Sequence, residues 1–413
     1  LQYWLPLLTW IFTMHLAFST ADTPFDPIAA ADSLAERLAA TAVERDRAGG
    51  HAAEERQWIR DSGLLALSVP AAYGGLGADW ATVYRTVRIV ARADSALAHL
   101  LGFHHLQLAG ILLYGSSQQQ RRLLTETIAS NAFWGNALNP LDKRLVGVPS
   151  AGGYLLNGIK SFASGSVGSD WLTISAWDPL ADAPLIAVLP TRQAGIEVQA
   201  DWDAFGQRQT DSGNVRFDNV ALSDDLVLQA AGRAGIANLA PQTTLRSQVA
   251  QLVMTNLYLG LAEGALAAAR GYLRDEARPW FASGVENAVD DPFIQHRFGE
   301  FHLQVRPAQL LADEAARKLD AAFRLGASLS AAERGEVAVA VAEAKVLAHR
   351  ASIEIGSQLF ELTGARSTSS RYGFDRFWRN ARVHTLHDPV DYKLRDLGRY
   401  ALDGRVPDPT AYS

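Results

Sequence analysis

The chain contains no cysteine at all, and that absence removes several chemistries at once. Disulfide frameworks, thiolate nucleophiles and cysteine-ligated metals are excluded. A strong charge of one sign is also missing. The net charge of −6 and pI of about 5.9 leave no basic footprint for nucleic acid or an anionic membrane. The self-contained motifs G-x-x-x-x-G-K-[ST], H-E-x-x-H and G-x-S-x-G do not occur. Internal repeats and low-complexity tracts are lacking as well.

What is present is the makings of a large core. Hydrophobic residues are 48% and charged residues 20% of the 413 residues, an ordinary balance for a globular chain of more than one domain. The opening "LQYWLPLLTWIFTMHLAFST" is apolar without Lys or Arg. It lacks the positive start of a signal peptide and is borderline in length for a membrane span. Residues 1–13 therefore read as upstream sequence rather than a functional anchor, within a disordered or export-like extension over 1–24. The expected location is the cytoplasm, with no stable membrane association.

Periodicity divides the rest. Residues 26–48 predict one helix: Asp26 caps it, Pro27 suits the first position, and Gly49-Gly50 ends it. Ile28, Ala31, Leu34, Leu38 and Ala42 share its apolar face. Helical sequence continues to about Ala132, interrupted by "VPAAYGGLGADW". Short β-type runs follow: "WLTISAW", "LIAVLP", "GIEVQADW" and "NVRFDNVAL". Long helical patterns return from about Ala231. In one, Val337, Val341, Ala344, Ala348, Ala351, Ile355, Leu359 and Leu362 keep a single face, as in a bundle. The charges in "ERDRAGG" and "AERGE" are expected on solvated faces.

Several segments occur in a telling order: "LSVPAAYGGLG", "LYGSSQQQRRLL", "GGYLLNGIKSFASGS", "FDNVAL" and "SQLFELTGARSTSSRYGFDRFWRNAR". Together they resemble the acyl-CoA dehydrogenase superfamily over about residues 26–413. The resemblance implies an α+β, mostly α fold. It has an N-terminal helical domain (25–132), a central β-barrel or sandwich domain (133–230) and a C-terminal four-helix bundle (231–413). It further implies a homotetramer, with a flavin between the β domain and the C-terminal helices and partly held by a neighbouring subunit.

The chain departs from the dehydrogenases where their chemistry starts. Removing a thioester α-proton needs a carboxylate base. The loop that usually carries a Glu reads "TLHDP" here, with His387 at the matching position. Before the β domain, "WGNALNPLDKR" replaces a T-E-P-x-x-G-S-D type sequence. "HLLGFHH", "SFASGSVGSDWL", "ADWDAFGQRQTDSG", "EARPW", "RYGFDRFWRNARVHTLHDPV" and "LDGRVPDP" instead resemble the flavin-dependent two-component monooxygenases of this superfamily, of the dibenzothiophene-oxidising type.

That resemblance implies reduced FMN supplied by a separate NAD(P)H:flavin reductase, O₂ as co-substrate, and oxygen transfer from a flavin C4a-hydroperoxide to a small apolar organosulfur substrate. It implies that His99 and His387 flank the reactive face of the flavin. Ser164 would donate toward the flavin N5 and C4a region, with Phe162 beside it in the same turn, and Asn136 would orient flavin or peroxide. Trp202 would pack near the ring, and Arg278 and Arg366 would bind the phosphate, for which the forked guanidinium is suited. Phe103 is expected among the cofactor-binding residues, at a position that is Tyr in those relatives, so that its contribution there comes without a hydroxyl.

Plainer readings stand beside these. His104 and His105 are adjacent and read as structural. His384 and His387 have helical metal spacing but no third ligand, so no metal is expected. Arg278 before Pro279 could simply end a helix, and most of the 10 tryptophans belong to the core. The competing activities are an FAD-dependent acyl-CoA dehydrogenase with a relocated base, an N- or C-hydroxylating flavin monooxygenase, and a flavin-free scaffold.

Overall fold

The computed structural model describes residues 24–229 and 239–413. The extension expected over 1–24, apart from Pro24, and the boundary placed at 230–231 lie outside the described residues. Helices come first: α1 (Pro27–Ala39), α2 (Ala42–Ala48), α3 (Ala53–Asp61), α4 (Trp80–Ala93), α5 (Ser95–Tyr114) and α6 (Ser117–Ala129). A mixed sheet follows, formed by β1 (Trp134–Ala137), β2 (Val146–Ser150), β3 (Gly153–Lys160), β4 (Trp171–Asp178), β5 (Ala183–Pro190), β6 (Ile196–Val198), β7 (Val215–Ser223) and β8 (Val227–Gln229). The chain then returns to helix in α7 (Leu245–Asp275), α8 (Pro292–Leu325), α9 (Ala331–Thr363), α10 (Asp375–Thr385) and α11 (Val390–Asp403).

The strands run in the order β6-β7-β3-β2-β4-β5-β8, and β1 pairs in parallel with β4, placing Asn136 opposite Thr173. Inward residues such as Leu156, Leu172, Ile174, Leu189 and Phe217 make a core of their own. A larger core joins α1, α4, α5 and α7 to α9. The helices α4 and α7 approach so closely that only glycine fits at the crossing. A Cβ on Gly260 would lie 2.4 Å from Ala91 Cβ, and one on Gly264 would lie 2.3 Å from the Arg92 carbonyl oxygen.

Two helical stretches, Ser95–Tyr114 and Pro241–Asp275, are long and apolar enough to cross a membrane. Their most apolar windows are 89% and 78% buried inside the fold, so protein covers these surfaces.

The expected face of α9 is buried throughout, from Val337 to Leu362. Asp26 caps α1 as read, accepting from the Ile28 and Ala29 N–H groups. The helix predicted over 26–48 is, however, two helices broken at Ala40–Thr41. Arg45 reaches back across the break. It donates to Thr41 Oγ1 at 2.9 Å and to Leu38 O at 2.8 Å, the latter a carbonyl that a continuous helix would have paired itself. The run "GIEVQADW" forms strand only over Ile196–Val198. The charges expected on solvated faces are partly inside. Arg45 is buried against Asp94, Glu55 and Gln209, and Arg334 is buried against Thr244 and Ser413. Each found a distant partner that no local pattern announces.

Candidate functional site

Asp94 starts α5 by accepting from the Ala96 and Leu97 N–H groups. One turn later His99 meets α10. His99 Nδ1 and His384 Nε2 share a hydrogen bond of 2.7 Å, with ring centroids 4.9 Å apart and planes crossing at 73°. Phe103, the next turn of α5, stacks on His99 at 3.9 Å. Tyr258 of α7 donates its hydroxyl to His384 O at 3.1 Å and fixes the end of α10.

Burial pushes the His99 pKa down to about 3, with the His387 charge adding to the effect. Burial also drives His384 well below the usual histidine value. Both rings are therefore neutral at ordinary pH. Their outer nitrogens, His99 Nε2 and His384 Nδ1, are buried without a partner. In a neutral pair, one outer nitrogen carries a proton and the other a lone pair. A proton taken up at one end and released at the other reverses the pair without creating charge.

His387 lies in the turn after α10, its N–H donating to His384 O at 3.1 Å. Its side chain is 42% exposed, and its Nδ1 lies 3.1 Å from Asp388 Oδ1. Asp388 also receives the buried Lys345 at 2.6 Å. Burial opposes ionisation of Asp388, but the bonds from His387 and Lys345 outweigh it and hold the carboxyl far below its usual range. This carboxylate is spoken for and makes a poor base.

The β side contributes the turn after β3. Asn136 of β1 donates its N–H to Ser164 O at 2.8 Å, so these predicted neighbours do meet. Asn136 Oδ1 is buried without a partner. Ser164 Oγ bonds Ser212 Oγ at 2.8 Å, which bonds Thr210 Oγ1 at 2.7 Å, and Thr210 donates to Gln207 O at 3.0 Å. Trp202 Nε1 donates to the same Gln207 carbonyl at 2.9 Å. Ser164 and Trp202 are thus tied to one loop. Phe162 has φ 54°, a left-handed conformation costly for a bulky residue, and its ring is 71% exposed. That strained turn sets Phe162 edge-on to Trp202 at 5.9 Å. Asn380 of α10 accepts from Gln207 N–H at 2.6 Å and so couples this loop to the helix bearing His384.

Not every predicted residue joins this cluster. Arg278 and Arg366 are exposed, beyond the ends of α7 and α9. Among the described residues, no hydrogen bond links either guanidinium to the Ser164–Trp202 side within one chain. His104 and His105 are structural. His104 accepts from Trp134 N–H at 3.3 Å and bonds Leu65 O at 3.0 Å, while His105 bonds Ser68 Oγ at 2.8 Å. Sequence reasoning overlooked His384, Asn380, Gln207 and Tyr258. Only His384 carried a signal, its three-residue spacing to His387, and that was set aside when no metal set appeared.

Known proteins share this arrangement of elements. Residues 29–131 match the family model for the acyl-CoA dehydrogenase N-terminal domain, and residues 227–392 match that for the acyl-CoA dehydrogenase C-terminal domain. The chain belongs to the acyl-CoA dehydrogenase family. Within this family it is similar to dibenzothiophene monooxygenase of Rhodococcus qingshengii, with 46% identity covering 93% of this chain and 95% of the relative. It is similar to a probable FMNH2-dependent monooxygenase of Pseudomonas putida, SfnC, with 45% identity over 95% of this chain and 99% of the relative. Among solved structures, methanesulfinate monooxygenase MsuC from Pseudomonas fluorescens superposes with a TM-score of 0.91 at 45% identity, covering 94% of this chain and 100% of that one. This acyl-CoA dehydrogenase family member is a flavin-dependent monooxygenase, and its cofactor is FMN.

The residues present fit a flavin. The unpartnered Asn136 Oδ1 and His99 Nε2 offer polar groups, and the exposed Phe162 ring beside Trp202 offers an aromatic wall.

Proposed function

We propose that this protein oxygenates a small organosulfur compound with O₂, using reduced FMN delivered by a separate NAD(P)H:flavin reductase. The observation that carries the reading is the neutral His99–His384 pair; beside it stands His387, at the position that the sequence resemblance matches to a dehydrogenase's carboxylate. A relocated base finds no support on α7. Its first acid after Leu245 is Glu263, already bonded to Arg92 and Gln309.

Reduced FMN, when bound, supplies the electrons that activate O₂. The chain's own residues do the rest. Phe162, Trp202, Asn136 and Ser164 hold and orient the ring. The unpartnered His99 Nε2 would hold or return a proton at the reacting centre through its bond to His384. A neutral imidazole pair can donate a hydrogen bond there without introducing a charge. Phe103, buried on His99, keeps water from that face, and its apolar ring suits an uncharged sulfide. Relatives named for dibenzothiophene and for methanesulfinate support sulfur as the atom oxidised.

Arg278 and Arg366 bind the FMN phosphate from a neighbouring copy, which accounts for their lack of a hydrogen bond to the Ser164–Trp202 side among the described residues. A tetramer agrees with the apolar side chains left exposed on α8 and α11, including Phe293, Leu303 and Leu402.

The test supplies chemically reduced FMN and ¹⁸O₂ with dibenzothiophene and a panel of sulfides and sulfinates. Labelled sulfoxide, sulfone or sulfonate is the expected product. Bleaching of bound FAD by an acyl-CoA, with no label transferred, would return the chain to the dehydrogenases.

A further inference from the structure

The turn that carries His387 is held from two sides. Asp388 holds it from within. From without, the segment Val406–Ser413 folds back across the start of α9. Gly335 makes room for it, since a Cβ there would lie 2.4 Å from Val406 Cγ2. Two buried cations then grip the segment. Arg334, only 1% exposed, donates to Ser413 O and to Thr244 Oγ1 at 2.8 Å. Lys393, also buried, donates its ammonium to Tyr412 O. Ser247 Oγ and Thr410 N–H add bonds to Ser413 O at 3.1 and 3.0 Å.

Burying a cation is costly unless its donors are used well. Here two are buried with donors aimed at main-chain oxygens of one short segment, with Asp388 and Asp396 near Lys393 and Asp408 near Arg334. A segment with no task does not call for that. What the grip positions is the Tyr412 ring, edge-on to His387 at 5.5 Å and 81°. Burial and the Asp388 charge raise the phenol pKa, so the ring stays neutral.

We propose that Tyr412 is a positioning residue: anchored through its backbone by Lys393 and through Ser413 by Arg334, its ring covers one side of the half-exposed His387 imidazole and fixes its orientation. The inference rests on the oxygenase reading of His387. Its function is to keep flavin oxidation coupled to product, because a loosely held imidazole admits water beside the reacting oxygen.

The first measurement needs no flavin. Diethyl pyrocarbonate labelling of the purified full chain, read by peptide mass spectrometry, reports how open His387 is. Tyr412→Ala and Lys393→Met should each label His387 several-fold faster, while Tyr412→Phe stays near wild type and the exposed His296 serves as control. The second measurement is product formed per NADH with FMN and a reductase. Tyr412→Ala should lower that ratio on the order of ten-fold, with KM for flavin unchanged. Tyr412→Phe should restore it, and His387→Phe/Tyr412→Ala should be no worse than His387→Phe.

Unchanged labelling in both Tyr412→Ala and Lys393→Met overturns the latch. Faster labelling with unchanged coupling overturns the positioning role. Full oxygenation by His387→Phe overturns the reading of His387 beneath the proposal, and the labelling result separates that failure from failure of the latch.

Discussion

His99 and His384 bond ring to ring at 2.7 Å across a separation of 285 residues, joining the first helical layer to the last. The bond leaves each ring one buried outer nitrogen without a partner. Replacing His384 by Phe strands His99 Nδ1 and frees the ring to rotate. We expect oxygenation to fall on the order of ten- to hundred-fold, while FMN binding changes little. His384→Gln, whose amide can bond His99 Nδ1, should recover part of the loss. Steady-state product formation and a flavin titration on each variant check this.

Acid should destabilise the protein through its buried histidines. The buried His99 is lowered to about 3 and the buried His104 to about 4, and the half-buried His349 follows to about 4 with a smaller effect because solvent screens it. Unfolded, each titrates at its ordinary value of about 6.5. Between that value and the folded pKa, the unfolded chain binds more protons. Stability is therefore full above the unfolded pKa and is lost as pH falls toward 4. A buried histidine shifted this far contributes on the order of a few kcal/mol to that loss. Thermal melts from pH 7.5 to 4.5 should show a steady fall. His104→Leu should flatten it, and a pH-independent melting temperature would contradict the assignment.

Phe162 pits stability against function. Its φ of 54° is strained for phenylalanine. Phe162→Gly removes the strain, so the protein should gain about 0.5–1 kcal/mol in urea unfolding. The same change deletes the exposed ring beside Trp202, and FMN should bind more weakly, on the order of ten-fold. A variant that is stabilised yet binds FMN normally would take Phe162 out of the site.

Arg278→Ala should raise the FMN dissociation constant about ten- to hundred-fold, as loss of a charge-assisted phosphate contact does. The melting temperature should not move, because the exposed guanidinium has no intrachain partner among the described residues. Isothermal titration with FMN and with riboflavin separates phosphate binding from ring binding. Riboflavin affinity should be the same in both proteins.

Much of the fold follows from the sequence alone. A 3.6-residue apolar period over Val337–Leu362 can only bury as a helix face, and Asp26 before Pro27 is a local stop for the backbone whatever surrounds it. The change to short β-type runs after Phe133 marks the sheet, and the motif order identifies the family. His99 and His387 stand out because of the positions they occupy within that order.

Tertiary structure decided the rest, since pattern reports which face is buried but not what it meets. His384 looks like any helical histidine until α10 packs against α5. Arg45 and Arg334 read as solvated charges, because nothing within a few residues of either reveals Asp94 or the carbonyl of Ser413. The break between α1 and α2 is bridged by one arginine folding back onto Leu38. Whether a polar side chain is exposed, paired or left with a free nitrogen is set by partners far along the chain, and only the folded molecule brings them within bonding distance.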